Sequence, residues 1–341
     1  MTIKNSIRVS IGVLVSFIIA GAAASLGTSG IGFGDTVQIV TGKILRLPLA
    51  IDPKSVSIVW MLRLPRVLLA FFAGGCFAMS GAVTQSVLRN PLASPYILGV
   101  SSGASLGAGL VIISGISLPF LRGFTLPVAG FSFGLITVFL VVFFSSRVDK
   151  SMSSNTIILC GMVFSQFVGA LLTTISAIFS NDLKRIVMWQ MGSFALKGWS
   201  YVRMILPFLV IGAVGILRYT REMDILTFGD DEAKSAGVEA ESIRKQLLVF
   251  ATIITGAAVS LSGVIGFVDL IAPHVARKLV GSQHKYVVPM SFIIGGCLLV
   301  ITDLAARTVI SPSELPVGAI TALIGAPFFA WVYFKRRRTA L

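Results

Sequence analysis

Carboxylates are scarce in this chain. Only 14 of 341 residues are Asp or Glu, against 28 Lys and Arg, and charged residues together make up 12%. So sparse a polar complement cannot clothe a water-soluble domain of this size. Histidine is rarer still, with His274 and His284 alone. Neither lies in an HExxH pattern or, along the sequence, beside a Ser/Asp set, which removes the zinc-peptidase and hydrolase signatures. No GxxxxGK[ST] run occurs, so the chain has no phosphate loop with which to cradle ATP itself. The three cysteines, Cys76, Cys160 and Cys297, each sit in an apolar run without a CxxC partner. They read as small buried hydrophobes rather than a disulfide or metal site.

What the chain does contain is hydrocarbon. Hydrophobic residues make up 55% and mean hydropathy is +0.92, which specifies an all-α polytopic membrane protein. A net charge of +14 raises the question of nucleic acid, but the basic residues are scattered between apolar runs instead of gathered on one face. A positive-inside bias explains them without nucleic acid.

At about 20 apolar residues per span, the sequence predicts ten helices in one transmembrane domain over 1–341. They lie near 9–28, 65–86, 95–114, 125–145, 156–179, 202–219, 247–266, 268–281, 287–306 and 316–334, so helices 1–5 occupy about 9–179 and helices 6–10 about 202–334. The eighth is short and follows the seventh almost directly. Between the fifth and sixth, residues 181–193 predict an external amphipathic helix too polar to span. With both termini in the cytoplasm, 17 of the 28 basic residues fall inside, and Lys335 to Arg338 anchor the last helix there. Ala22 to Ala24 could pass for a signal-peptidase site, yet small residues continue to Leu26, which favours an uncleaved first helix.

Breaks by glycine and proline recur at Arg89–Pro95 with Gly99, Gly103, Gly107 and Gly109, at Gly263, Gly266 and Pro273, and at Pro316, Gly318, Gly325 and Pro327. Irregular backbone at membrane depth requires cover by protein or a water-filled cavity. The spacing of Gly99, Gly103 and Gly107 suits close helix packing.

One long polar interval stands out, 219–246. It carries Glu222, Asp224, Asp230, Asp231, Glu232, Glu239 and Glu241, half the chain's carboxylates. Its middle predicts a short surface helix starting at Gly229/Asp230, with carboxylates in the first turn and Gly237 as the stop. A solvated connector and a docking element for a soluble partner both fit that pattern.

These landmarks resemble the permease subunits of ATP-binding-cassette importers for ferric siderophores, haem and vitamin B12, the FecCD-type permeases. The resemblance spans nearly the whole chain. It rests on Leu62-Arg-Leu-Pro-Arg66, Gln85, Arg89-Asn-Pro-Leu-Ala-Ser-Pro95, Leu98-Gly99, Trp189 with Gly192-Ser193, Gly229-Asp230 with Ala233 and Gly237, Ala272-Pro-His-Val-Ala-Arg277, Asp303 with Arg307, and Glu314-Leu-Pro-Val-Gly318 through Gly325-Ala-Pro327. It implies a bacterial cytoplasmic-membrane protein of ten helices per subunit, paired with an identical or homologous permease. Two ATP-binding subunits below would hold the ATP and magnesium, no cofactor being bound by this chain. A substrate-binding protein would dock above, and membrane lipid would surround the rest.

The resemblance further implies that Gly229, Asp230, Asp231, Ala233 and Gly237 form the ATPase-coupling element. It puts a cytoplasmic gate at Ser153, Ser154 and Asn155, and binding-protein docking at Arg63, Arg66 and Arg307. Gln166 is a pathway candidate or a hydrogen-bonding partner for a neighbouring helix. Asp303 and Arg307, four apart, are expected to pair with each other. Asp269, where the family pattern has Gly, lies near an external helix junction. It is expected at an aqueous surface position or as a cap of the eighth helix, with a substrate-contacting charge as the alternative. A rival reading, an ion-coupled secondary transporter, would use Asp269 and Asp303 as its coupling carboxylates. A membrane enzyme, the third class, lacks a nucleophile with a base.

Overall fold

A computed structural model describes residues 2–27, 30–48, 50–150 and 152–338, without the side chains of residues 2, 3 and 333–338. The anchor expected at Lys335 to Arg338 therefore lies outside the described side chains. Helix α1 (Thr2–Ser25) is followed by two elements that the apolar-run reading leaves as loop, α2 (Phe33–Leu45) and α3 (Pro53–Ser57). Asp52 caps α3 by accepting from the Ser55 N–H, with Pro53 at the first helical position. A π-helical stretch, Ile58–Arg63, joins α3 to α4 (Leu64–Val87). Next come α5 (Val100–Ser114), α6 (Thr125–Val148) and α7 (Ser154–Ile178). The expected amphipathic helix is α8 (Leu183–Gln190), and α9 (Trp199–Arg218) leads into the polar interval.

That interval folds as α10 (Thr220–Leu226) and α11 (Asp230–Ser235), and its last residues are already the first turns of α12 (Ala240–Ser262). The chain closes with α13 (Val268–Val280), α14 (His284–Thr308) and α15 (Val317–Arg338). Each of the ten expected spans thus has its helix. Among the described residues seven are long and apolar enough to cross a membrane alone, while α5 and the apolar part of α15 are shorter.

Helix α4 is the centre of the bundle, packed along α14 and against α12, α13 and α9. Its run Gly74-Gly75-Cys76-Phe77-Ala78-Met79-Ser80-Gly81-Ala82 is buried throughout. Small residues let backbones approach closely where lipid supplies no hydrophobic drive between helices. The same logic holds for α5 on α6, where a Cβ on Gly103 would come within 2.5 Å of the Phe133 carbonyl and one on Gly107 within 2.6 Å of that of Ala129. The peripheral α1 instead presents Leu14, Phe17 and Ile18 outward and packs against α14. Ala23 and Ala24, in the stretch that resembles a cleavage site, are buried inside the bundle.

The bundle has two ends. Asn5 donates to the Val280 carbonyl (2.8 Å) and Lys278 lies over the Trp331 ring, so the N-terminus and the far part of α15 share the end that carries α10 and α11. At the opposite end the turn after α8 fastens two helix termini. Ser193 N–H donates to Ser262 O (2.8 Å), while Val317 and Gly318 N–H donate to the carbonyls of Gly192 (3.1 Å) and Met191 (3.0 Å). That is the task of the Gly192 and Ser193 landmarks.

The boundary between the seventh and eighth spans proves to be a five-residue unwound segment, 263–267, rather than a simple turn. Its exit residue Phe267 has φ +69° and packs on Gly325, midway along α15. Helix α13, with 13 residues, is about 20 Å long against a hydrocarbon core of about 30 Å, so it begins inside the membrane.

Candidate functional site

Helix α11 starts where only glycine fits. Gly229 has φ 141°, and a Cβ there would collide with the Glu232 carboxylate. Asp230, Asp231 and Glu232 then fill the first turn, the favourable place for negative charge on a helix. Ala233 is fully buried and accepts from the Val238 N–H (2.8 Å), while Gly237 ends the element at φ 75°. Asp231 stays on the exposed side.

Asp230 does not face solvent freely. Its carboxylate takes Arg244 Nη1 at 3.1 Å and Nη2 on the other oxygen, and Arg89 reaches it from the turn after α4. Burial raises the Asp230 pKa, but the Arg244 hydrogen bond and charge, then the charges of Arg89 and Lys234, outweigh it and leave the carboxyl below its ordinary value. Arg244 is 1% exposed, and its Nη1 also lies 3.5 Å from the Met152 carbonyl.

Met152 opens the expected gate segment. Ser153 N–H donates to Asp149 Oδ2 (3.0 Å), Ser153 and Thr156 share a hydrogen bond (3.0 Å), and Ser154 is the first residue of α7. Asn155 is exposed, and so is Gln166 further along α7, beside the exposed Val163 and Phe167. Gln166 thus faces outward from this chain instead of into a neighbouring helix. Folding brings the two sequence-predicted groups, 229–237 and 153–155, to either side of one buried guanidinium. Sequence reasoning picked out Arg89 only as part of the Arg89–Pro95 landmark and Arg244 not at all; the signal available was an arginine about one turn into a helix that follows an acidic run.

At the opposite end the three arginines expected at the surface are turned inward. Arg63 donates to the carbonyls of Ala24 (3.2 Å) and Ser25 (2.6 Å), and Arg307 donates to that of Ala23, so both satisfy the last turn of α1. Arg66 grips Asp303 through Nε (3.0 and 3.1 Å) and Nη2 (2.9 Å), and grips Glu314 through Nη1 (2.7 Å) and Nη2 (2.9 Å). The expected Asp303–Arg307 pair is therefore a secondary contact at 3.9 Å, because a fork from α4 reaches the carboxylate more directly than a side chain on its own helix. Arg63 and Arg66 lie three residues apart at the junction into α4. Arg63 ends the π-helical stretch and turns to α1, whereas Arg66, in the first turn of α4, turns to Asp303 and Glu314. Glu314 is the exposed member of the set, and the Arg66 hydrogen bonds hold its pKa down against the opposing effect of burial.

Asp269 also departs from expectation. It is 1% exposed, not at an aqueous surface, and its backbone carbonyl lies where a Cβ on Gly81 would have to be, deep along α4. It does sit in the first turn of α13, where its Oδ2 accepts from the Ser94 hydroxyl. Gln85 donates to its carbonyl (3.3 Å) and accepts from Arg277 (2.5 Å), so the family-like Gln85, Ser94 and Arg277 brace the N-terminus of a helix that begins inside the bundle.

His274 lies edge-on to Phe328. The other histidine gains by folding what it lacks along the sequence, a serine and an aspartate beside it. His284 Nε2 meets Ser86 Oγ, and Nδ1 lies 2.5 Å from Asp224 Oδ1. Ser86 is 5% exposed in the last turns of α4, with its Oγ 3.0 Å from the Ala82 carbonyl, so no substrate can approach it as a nucleophile. Among the described residues no cluster of three or more His, Cys, Asp or Glu side chains has the arrangement of a metal site.

A family model for the FecCD transport family matches residues 12–335. The chain belongs to the FecCD transport family. Curated FecCD relatives include a Bacillus subtilis ABC transporter permease, YvrB, 44% identical over 287 residues that cover 84% of this chain and 81% of that one. The hemin transport permease HmuU of Yersinia pestis is 36% identical and covers 82% of this chain and 84% of its own. The molybdate import permease MolB of Haemophilus influenzae is 34% identical over 95% of this chain and 94% of its own. A solved inward-facing structure of a metal-chelate type ABC transporter superposes with TM-score 0.84 at 31% identity, over 96% of this chain and 99% of that one. PsaBC from Streptococcus pneumoniae, at 16% identity and TM-score 0.56, shares the fold. This FecCD protein is thus a multi-pass membrane permease subunit of an ABC importer, and the ion-coupled rival falls. Of its two carboxylates, Asp303 is held by Arg66, and Asp269 accepts from Ser94 through Oδ2.

Proposed function

We propose that this permease carries a metal chelate, of the siderophore, haem or cobalamin kind, across the bacterial cytoplasmic membrane. It works as a homodimer or as a heterodimer with a homologous permease. Two partner ATPases hydrolyse the ATP, and a binding protein delivers cargo on the outer face. The polar-loop end and both termini lie in the cytoplasm, and α11 docks on the ATPase. The observation that carries this reading is the Asp230–Arg244–Met152 connection, which gives a displacement of α11 a direct route to the segment 153–155. Small polar residues at that segment let two chains meet and part without a large desolvation cost.

On the outer face, the exposed Glu314 occupies the side of Arg66 that a docking carboxylate would need. Docking then proceeds by exchange, with a binding-protein carboxylate displacing Glu314, while Arg63 and Arg307 stay on α1.

The coupling element is tested with Asp231→Lys, which opposes the positive end of the helix dipole, and Gly237→Pro, which forbids the positive φ of its final turn. Both variants should insert normally and lose uptake together with cargo-stimulated ATP hydrolysis. Persistent uptake without a co-purifying ATPase would reject the coupling role. Cargo is assigned by uptake of labelled ferric siderophore, haem, cobalamin and molybdate in cells lacking the gene. Molybdate transport alone would reject the chelate reading.

A further inference from the structure

Three elements meet at one histidine. Ser86 lies in the last turns of α4, His284 is the first residue of α14, and Asp224 belongs to α10. Asp224 Oδ1 accepts twice, from the His284 backbone N–H at 3.0 Å and from the ring at 2.5 Å. It therefore serves as a cap for a 25-residue helix that it does not belong to, placing negative charge at the positive end of α14.

The ring is held at both nitrogens, and the protons can be followed. A carboxylate only accepts, so Nδ1 carries the hydrogen that points at Asp224. Ser86 has one hydroxyl proton. If it donates to the Ala82 carbonyl, 3.0 Å away, Nε2–H must donate to Ser86, and the ring is a cation facing Asp224. If the hydroxyl turns to Nε2, the ring is neutral and still bridges. Both states keep the link, so its geometry does not depend on which one is populated.

The location gives the link its consequence. His284 is 3% exposed and Ser86 5%, whereas Asp224 is 38% exposed on the polar interval. Helices α4 and α14 pack along their length, so Ser86 and His284 move as one body. Only Thr227, Phe228 and Gly229 separate α10 from α11. An apolar contact of equal size would let α10 slide or roll on the bundle. A hydrogen bond at each side of a rigid ring fixes both its distance and its rotation.

We propose that the Ser86–His284–Asp224 relay is the joint through which ATPase-driven displacement of α10 and α11 reaches α4 and α14, with His284 as its positioning residue. The proposal rests on the reading of α11 as the ATPase contact. It adds a second route beside the Asp230–Arg244–Met152 one, leading into the packed centre of the bundle instead of the gate segment.

The test uses the complete transporter in proteoliposomes, with cognate ATPase and binding protein, and reads ATP hydrolysis and uptake together. His284→Ala and Asp224→Ala should keep the ATPase bound and hydrolysing while uptake per ATP falls about tenfold, within the range of measured coupling free energies. His284→Asn preserves a donor only on the Asp224 side and His284→Gln only on the Ser86 side, so each should uncouple as alanine does. Asp224→Asn keeps an oxygen to accept both N–H groups and should restore coupling.

Unchanged uptake per ATP in both alanine variants overturns the joint. So does full coupling in the Asn or Gln variant of His284, since one end would then suffice. Loss of all these variants from the membrane reduces the relay to a folding contact and also overturns it. If Asp231→Lys and Gly237→Pro leave the ATPase attached and coupled, the α11 reading falls and takes the joint with it. Coupling lost in the Asp231 and Gly237 variants but kept in His284→Ala and Asp224→Ala overturns the joint alone, so the two failures are distinguishable.

Discussion

Arg244, buried on α12, closes on Asp230 at the start of α11 with both terminal nitrogens, one per carboxylate oxygen. Arg244 is the costly member, because its side chain is 1% exposed while that of Asp230 is 33% exposed and can rehydrate. Asp230→Ala should therefore destabilise the loop end by about 1.5–3 kcal/mol, the range for hydrogen bonds to charged groups. Arg244→Leu should cost less. Thermal unfolding of the detergent-solubilised permease ranks the two, and the reverse order would show that the clamp matters little.

The pH dependence of that clamp has a definite sign. The Asp230 pKa is lowered in the folded protein, so its contribution is complete above the ordinary carboxylate value of about 3.9 and is lost only as pH falls through the depressed one. Between pH 6 and pH 8 ATPase co-purification should be flat. A fall within that window would assign the contact to another group.

Arg66→Leu should be the most damaging change at the opposite end. It leaves Asp303, with a side chain 2% exposed, without its main partner, and breaking a buried pair from one side costs about 3–5 kcal/mol. Glu314→Gln should cost about 0–1 kcal/mol, as exposed pairs do. Equal losses in membrane-inserted protein would refute the asymmetry.

If docking proceeds by exchange at Arg66, removing the resident competitor should help it. Glu314→Gln should tighten binding-protein association, most visibly at low salt, with the ATPase still bound. Weaker association would make Glu314 itself a docking residue.

Asp269→Asn retains an acceptor for Ser94 and should leave uptake within a factor of about two of the parent, less than half a kcal/mol. Asp269→Ala removes the acceptor and should destabilise by about 1 kcal/mol, as loss of one buried hydrogen bond does. Abolished uptake in a stably inserted Asp269→Asn would give the carboxylate a transport role that the structure does not require.

Much of this protein follows from its sequence alone, for a physical reason. Lipid demands that each backbone polar group be satisfied within its own segment, so ten apolar runs must become ten helices, and the 219–246 interval must lie outside them. The surface helix at 230–235 was equally legible, because Gly229, the acidic first turn and Gly237 act over a few residues. Partner choice was not. Asp303 looks four residues ahead to Arg307, yet it is held by Arg66, 237 positions away. Asp269 looks like a junction at the surface, yet five unwound residues carry it into the bundle. The sequence places His284 in no constellation, but the packing of α4, α10 and α14 assembles one around it. Which groups meet across helices depends on packing angle, on the π-helical stretch at Ile58–Arg63 and on where a helix restarts inside the membrane. None of these leaves a periodic trace in the order of residues, so only the tertiary structure decides them.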